Sequence, residues 1–161
     1  MAKEIERKFR VRNESFKAFS TGVLYRQGYL SRDIERTVRI RVSGENAFIT
    51  IKGMTNGFER LEFEYPILLE DANQMLEAIC IKPLIEKLRY KVMCNGHLWE
   101  VDEFIGDNEG LIVAEVELES NDEEVVIPDW IGEEVTGDPR YYNSNMVTNP
   151  FKNWSDIQTV R

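Results

Sequence analysis

Seven stretches of this sequence carry charged side chains at every second position. They are Glu4, Glu6 and Lys8; Arg39 and Arg41; Lys52 beside Thr50; Glu62 and Glu64; Lys87, Arg89 and Lys91; Glu100 and Asp102; and Glu115, Glu117 and Glu119. Most of these runs are of one sign. Paired carboxylates supply the hard oxygen donors that Mg2+ or Mn2+ prefer. Arginines and lysines in rows match the several oxygens of a chain of phosphates. A site built from both would take a divalent metal and a polyphosphate together.

The element that presents every second residue on one side is a β-strand. The alternate positions agree: Ile5 and Phe9, with Arg7 interrupting them, then Val38, Ile40 and Val42, Ile49 and Ile51, and Leu61, Phe63 and Tyr65. Leu88 and Tyr90, Trp99 and Val101, and Ala114, Val116 and Leu118 continue the pattern. Strands are expected near 3–11, 23–30, 36–42, 47–53, 59–68, 84–93, 97–104 and 111–119. Turn-forming stretches separate them, namely SGEN at 43–46, GMTNG at 53–57, NG at 95–96 and GDNEG at 106–110, which implies antiparallel neighbours.

Helix is scarcer. Residues 69–80 place Ala72, Met75, Leu76, Ile79 and Cys80 on one stripe, with Pro83 just beyond. A shorter helix is expected over 13–20, with Phe16 and Phe19 facing inward, and a third over 150–158. Residues 121–149 begin acidic and continue with Pro, Gly and Asn, so they read as loop with short turns.

An ordinary antiparallel sheet with one solvated face also alternates, but a solvated face mixes its signs to limit repulsion between neighbours. Here the signs are sorted by strand, so acids and bases meet only across a shared space. A closed sheet provides that space. The expected fold is therefore α+β, mainly β: an eight-stranded antiparallel closed β-barrel, or tunnel, with a charged interior and a few helices packed outside. Eight acids (Glu4, Glu6, Glu62, Glu64, Glu100, Asp102, Glu115, Glu117) would face six bases (Lys8, Arg39, Arg41, Lys52, Lys87, Arg89), a balance that permits burial.

Composition sets the remaining bounds. The 161 residues suit one domain, spanning 1–161. A net charge of -9 argues against a nucleic-acid binder held by a general positive field. With Cys80, Cys94 and His97 as the sole cysteines and histidine, a Cys/His zinc site is excluded and a hard cation on carboxylates is left. No stretch has the pattern of a signal peptide or the length of a membrane span, so a cytoplasmic location and no membrane partner are expected.

Together, Glu4-Ile5-Glu6-Arg7-Lys8 and the ordered ranks at Arg39 and Arg41, Lys52, Glu62 and Glu64, Lys87 and Arg89, Asp102, and Glu115 and Glu117 resemble the CYTH superfamily, or triphosphate tunnel metalloenzymes. The resemblance covers essentially the whole chain, and TGDPRYYNSNM at 136–146 is similar to the closing segment of the small bacterial branch, mainly tripolyphosphatases. It implies an eight-stranded tunnel and metal-dependent hydrolysis of inorganic triphosphate to pyrophosphate and phosphate. Class IV adenylate cyclase and thiamine or nucleoside triphosphatase are alternatives within the family, and a non-catalytic polyphosphate-binding module is one outside enzymology.

Carried onto this sequence, the resemblance makes Lys8, Arg39, Arg41, Lys52, Lys87 and Arg89 the grip on triphosphate. Glu4, Glu6, Glu115 and Glu117 would bind metal and position water, with Asp102 assisting. Glu62 and Glu64 either face the metal or orient the arginines. Tyr29 is expected beside Lys87, tuning it as a proton acceptor, so Glu4, Glu6, Lys87 and Tyr29 form the catalytic set. Glu100 departs from family members that carry a base there. Lys91, Glu119 and His97 read as solvated, and Trp99, Trp130 and Trp154 as packing or dimer-surface aromatics. Residues Arg140 to Asn143 are candidates to cap one tunnel mouth, and an apolar outer wall makes a homodimer expected.

Overall fold

The computed structural model of the protein describes residues 3–154. Its strands are β1 (Lys3–Val11), β2 (Val23–Asp33), β3 (Arg36–Ser43), β4 (Asn46–Gly53), β5 (Glu59–Pro66), β6 (Ile81–Cys94), β7 (His97–Phe104), β8 (Ile112–Glu117) and β9 (Ile131–Glu134), with helices α1 (Leu69–Ala78) and α2 (Asn143–Met146). All pairings are antiparallel, in the order β5-β4-β3-β2-β6-β7-β8-β1-β9, and β5 also pairs with β1. Eight strands therefore form a ring, as expected.

The seam of that ring is short. β1 meets β5 through Lys3, Ile5 and the pair Glu4 with Arg60, then leaves it and runs beside β9 at Phe9 and Val11. Between the two, Glu6 N donates to the Phe58 carbonyl at 3.1 Å and Lys8 N to Thr136 Oγ1 at 2.9 Å, so the edge of β1 is not left bare. The hairpin between β6 and β7 turns on Asn95 and Gly96, both at positive φ (49° and 81°), the conformation that a two-residue turn needs between twisted strands.

Two apolar layers cover the outside. Ala72 and Leu76 of α1, with Cys80, pack on Ile40, Val42 and Ala47, and Glu70 and Asp71 place negative charge at the positive end of the helix. On the other flank, Phe16 is fully buried against Tyr90 and Trp130, at ring separations of 5.2 and 5.6 Å, and Trp130 meets Trp99 at 5.9 Å. Trp154 packs on Tyr141 and Phe151. The three tryptophans are thus buried packing residues.

Toward one end of the ring the inward ranks change from charged to apolar. Tyr29, Ile85, Phe104 and Val113 meet Tyr141, Met146, Phe151 and Trp154 there in one buried cluster. Residues 139–154 plug that end.

Several local expectations differ from the outcome. Residues 13–20 contain only a 3-10 turn over Ser15–Phe19; Phe16 is buried, but the chain turns extended at Ser20 and leaves Phe19 71% exposed. α1 stops at Ala78, so Ile79 sits at its cap and is exposed. Of the expected third helix, a 3-10 turn spans Phe151–Asn153, and 155–158 lie outside the described residues. β9 lies inside the region read as loop, because four residues reading IGEE are too short to show a period. β6 begins at Ile81 rather than 84, with Pro83 inside it, and β2 runs on to Asp33.

The contrast between the two phenylalanines is measurable. Phe16→Ala should cost about 3–5 kcal/mol in urea unfolding, as for buried aromatics elsewhere, and Phe19→Ala less than about 0.5 kcal/mol. Equal losses would contradict this packing.

Candidate active site

The inward ranks line a cavity of about 260 Å³. From β1 it takes Glu4, Glu6 and Lys8; from β2 and β3, Tyr29, Arg39 and Arg41; from β4 and β5, Lys52, Glu62 and Glu64. Lys87 and Arg89 of β6 and Glu115 and Glu117 of β8 complete the set. Of the residues singled out by spacing for this site, Asp102 alone is not in the lining.

Cations crowd one wall. The Arg41 guanidinium is pulled down to about 10 by burial, then by Arg39 and Arg89. Tyr25 lies between two of these groups, 5.1 Å from Arg41 and 4.8 Å from Arg89, and its ring face offsets some of their charge. Glu64 stands 3.6 Å from Arg39 and 3.7 Å from Arg41 and accepts from Thr50 Oγ1 at 2.7 Å, so it orients the arginines. The Nε–H groups of Arg39 and Arg41 are buried without an acceptor. Such donors are costly to leave unmet, which suits this wall to an anion.

Asp102 serves the cations. Its two oxygens take a bidentate pair from Arg89, at 2.7 and 2.8 Å, and Lys87 Nζ lies 2.8 Å away. Burial pushes this carboxyl up, but Arg89 and then Lys87 outweigh it and hold it well below the usual range. With both oxygens engaged and no opening to the cavity, it has no geometry for the metal-assisting role expected of it. Lys87 is itself pushed down to about 7, by burial first and against the pull of Asp102, with Arg89 adding to the fall. Tyr29 is joined to Lys87 indirectly: Gln27 Nε2 donates to Tyr29 Oη at 3.5 Å and to Asn143 Oδ1 at 2.8 Å, and Lys87 donates to that same oxygen at 2.9 Å.

Carboxylates gather on the opposite side. Strand register sets Glu6 against Glu117 and Lys8 against Glu115. Burial, then Glu115 and Glu4, raise Glu6 well above the usual range; Glu115 is lowered despite burial, by Lys8 and by a hydrogen bond from Glu6. Glu6 is thus biased toward its neutral form beside a charged Glu115, and a proton shared between them would relieve the repulsion of two like charges. Lys52 bonds Glu4 at 3.0 Å and lies 3.5 Å from Glu62. Glu62 and Glu117 are also raised, by burial first and then Glu4.

All these donors are hard oxygens in mutual repulsion, which fits a divalent cation taking the place of such a proton. Among the described residues no three acidic, cysteine or histidine side chains converge at metal-ligand spacing. The set therefore suits a cation held by one or two carboxylates, with water and phosphate oxygens completing its shell, the usual habit of Mg2+.

Sequence spacing missed some of the lining. Arg60 continues the rank of Glu62 and Glu64 one step back, and Thr37, Tyr142, Asn143 and Ser144 also contribute. Glu100 points inward and lies 3.4 Å from Arg89. Arg10 extends the rank of Glu4, Glu6 and Lys8 below the cavity, buried against Tyr141 and Phe151. Lys91 and Glu119 are exposed, and His97 bonds Glu123 at 2.5 Å.

A ring of inward acids and bases around one cavity defines an anion-binding, metal-compatible tunnel. The CYTH domain model matches residues 2–142, and the chain belongs to that family. It is 53% identical over 156 residues to an inorganic triphosphatase of Acetivibrio thermocellus, covering 97% of this chain and 100% of the relative. An inorganic triphosphatase of Nitrosomonas europaea is 38% identical over 150 residues, covering 87% and 93%. A crystal structure of an inorganic triphosphatase superposes with a TM-score of 0.64 at 34% identity, covering 89% of this chain and 96% of the other. A Bacillus halodurans protein described as a putative adenylate cyclase shares the fold, with a TM-score of 0.61 at 19% identity over 74% and 83% of the two chains.

A proton shared in this way would make metal binding pH-dependent. Because the folded Glu6 carboxyl titrates above its unfolded value, the metal-free protein loses stability as pH rises from the unfolded carboxylate range through the raised one. A cation removes that penalty. The rise in melting temperature on adding Mg2+ should therefore be larger at pH 8 than at pH 5.5, and Glu6→Gln should flatten the difference; an equal rise at both pH values would refute the coupling.

Proposed function

We propose that the protein hydrolyses inorganic triphosphate to pyrophosphate and phosphate, using Mg2+ or Mn2+. The observation that carries this is the facing of a cation wall with unmet buried donors against a cluster of carboxylates across one cavity. The names of the two bacterial relatives support the same substrate. An inorganic chain fits better than a nucleotide. The cavity is smaller than the roughly 300–1,000 Å³ typical of sites for drug-sized ligands, and its two aromatic lining residues are already engaged, Tyr29 in the buried cluster and Tyr142 with Lys8 Nζ 5.6 Å from its ring centre.

In this reading Lys8, Arg39, Arg41, Lys52, Lys87 and Arg89 hold the three phosphates in line and meet the charge on the transferred phosphoryl oxygens. One or two carboxylates from among Glu4, Glu6, Glu115 and Glu117 would hold the cation, with Glu62 beside them. When bound, the cation neutralises phosphate charge and polarises a phosphoryl oxygen. Glu4 and Glu6 orient the attacking water. Its oxygen bonds to the terminal phosphorus, the bridging P–O bond breaks with its electron pair leaving on pyrophosphate, and Lys87 Nζ takes the water proton. A lysine near pKa 7 has a neutral fraction able to do so at physiological pH. Asp102 positions Arg89 and Lys87, and Glu64 positions the two arginines.

We also propose a cytoplasmic homodimer. Both cysteines are free thiols, as in reducing compartments. The outer face of β4 and β5 exposes Ile51, Leu61, Phe63 and Tyr65. Cell fractionation tests the first, and light scattering giving the mass of one chain would dismiss the second.

Purified protein incubated with tripolyphosphate, ATP or thiamine triphosphate should release phosphate chiefly from tripolyphosphate, only with Mg2+ or Mn2+. Glu115→Gln and Glu117→Gln should each abolish release. Lys87→Arg keeps the charge but cannot accept a proton at neutral pH, and should lower kcat about 100-fold or more. Near wild-type turnover in both glutamine variants would sink the metal assignment, and cyclic AMP from ATP would favour a cyclase.

A further inference from the structure

Asn143 opens α2, in the segment that plugs the ring from outside its eight strands. Its Oδ1 accepts from Lys87 Nζ at 2.9 Å and from Gln27 Nε2 at 2.8 Å. In its charged form, paired with Asp102 at 2.8 Å, Lys87 has only protons to offer, so the atom facing it is the amide oxygen. Asn143 Nδ2 is left without an acceptor among the described residues. It is not sealed away either: Asn143 lines the cavity, and its Nδ2 is not among the buried polar atoms that lack a partner. A two-proton donor therefore opens on the cavity next to Lys87.

We propose that Asn143 Nδ2 is a direct ligand of the triphosphate, donating to a phosphate oxygen beside Lys87. The assignment rests on the reading that this cavity binds triphosphate. Charge explains why an amide occupies the position. Burial first, and then neighbouring cations, already hold down Arg41 and Lys87, so another cation buried in the same wall would be driven toward its neutral form. An amide adds donors without adding charge. Its oxygen meanwhile secures Lys87 and Gln27, so one side chain both buttresses the cation wall and extends it.

A positioning role alone would make every effect of Asn143 pass through Lys87, and a double-mutant cycle separates the two cases. Tripolyphosphate affinity is measured by titration calorimetry in EDTA, where metal-dependent turnover is suppressed, for wild type, Asn143→Ala, Lys87→Met and the double variant. Asn143→Ala should raise Kd about tenfold, and by at least fivefold in the Lys87→Met background. A change below twofold in the wild-type background, or a loss that vanishes once Lys87 is gone, overturns the assignment. Asn143→Ser, which keeps a donor in a smaller group, should fall between alanine and wild type, and a serine variant no better than alanine counts against a direct bond. Wild-type protein that binds tripolyphosphate in EDTA but hydrolyses none of it once Mg2+ or Mn2+ is supplied would defeat the hydrolase reading while the cycle still decides Asn143; wild-type protein that fails to bind defeats both.

Discussion

Taking a carboxylate or a guanidinium out of water costs several kcal/mol unless other charges and hydrogen bonds replace the solvent. This ring turns ranks of both inward, so its stability depends on how well they neutralise one another. Where burial is deepest the match is close: Asp102 is enclosed by Arg89 and Lys87. Nearer the open cavity it is incomplete. Arg39 and Arg41 share one carboxylate between them, and burial beside Glu115 and Glu4 drives the Glu6 carboxyl toward its neutral form. The residual imbalance has a direction, positive on one wall and negative on the other. A metal bound to a polyanion has the complementary polarity.

That division explains what spacing reveals and what it hides. A rank such as Arg39 and Arg41, or Glu115 and Glu117, is legible because a strand in a closed sheet has two unlike faces and a period of two. Seven such ranks with sorted signs are enough to imply a lumen and its chemistry. Their pairwise roles are not legible in the same way. Asp102 has the same residue type and phase as the cavity carboxylates, yet it belongs to the cations, because its strand neighbour in register is Arg89. Glu64 likewise reads equally as a metal-facing acid or a partner of the arginines until Thr50 and two guanidinium groups are seen around it.

The C-terminal part was least legible, for a physical reason. It has no long element, only β9, a one-turn helix and short 3-10 turns, so no period marks which side chains face the ring. Its order comes from tertiary contacts instead. Arg32 donates to the Ser144 carbonyl and Thr148 Oγ1, Lys8 to the Tyr141 carbonyl, and Asn108 Oδ1 accepts from Phe151 N. Each joins a side chain to a partner that lies more than forty residues away. Patterning within a window of ten or so residues carries no trace of such bonds. Arg10 was missed for a simpler reason: it continues the β1 rank one step beyond the signature, into the apolar end.

The plug also bears on how the site stays organised. A ring seam of three residue pairs is a modest closure, and beyond it β1 depends on β9 and on Thr136 to satisfy its edge. Those partners belong to the same chain region that supplies Tyr141 under Arg10 and Asn143 beside Lys87. Displacing the plug would therefore release the seam, expose an apolar cluster and loosen the most deeply buried cation of the wall together. Electrostatic catalysis requires groups fixed before the substrate arrives, since reorienting them later would cost what the charges contribute. Irregular chain is thus used here as a rigid part, held on one side by the apolar end of the ring and on the other by hydrogen bonds to its charged ranks.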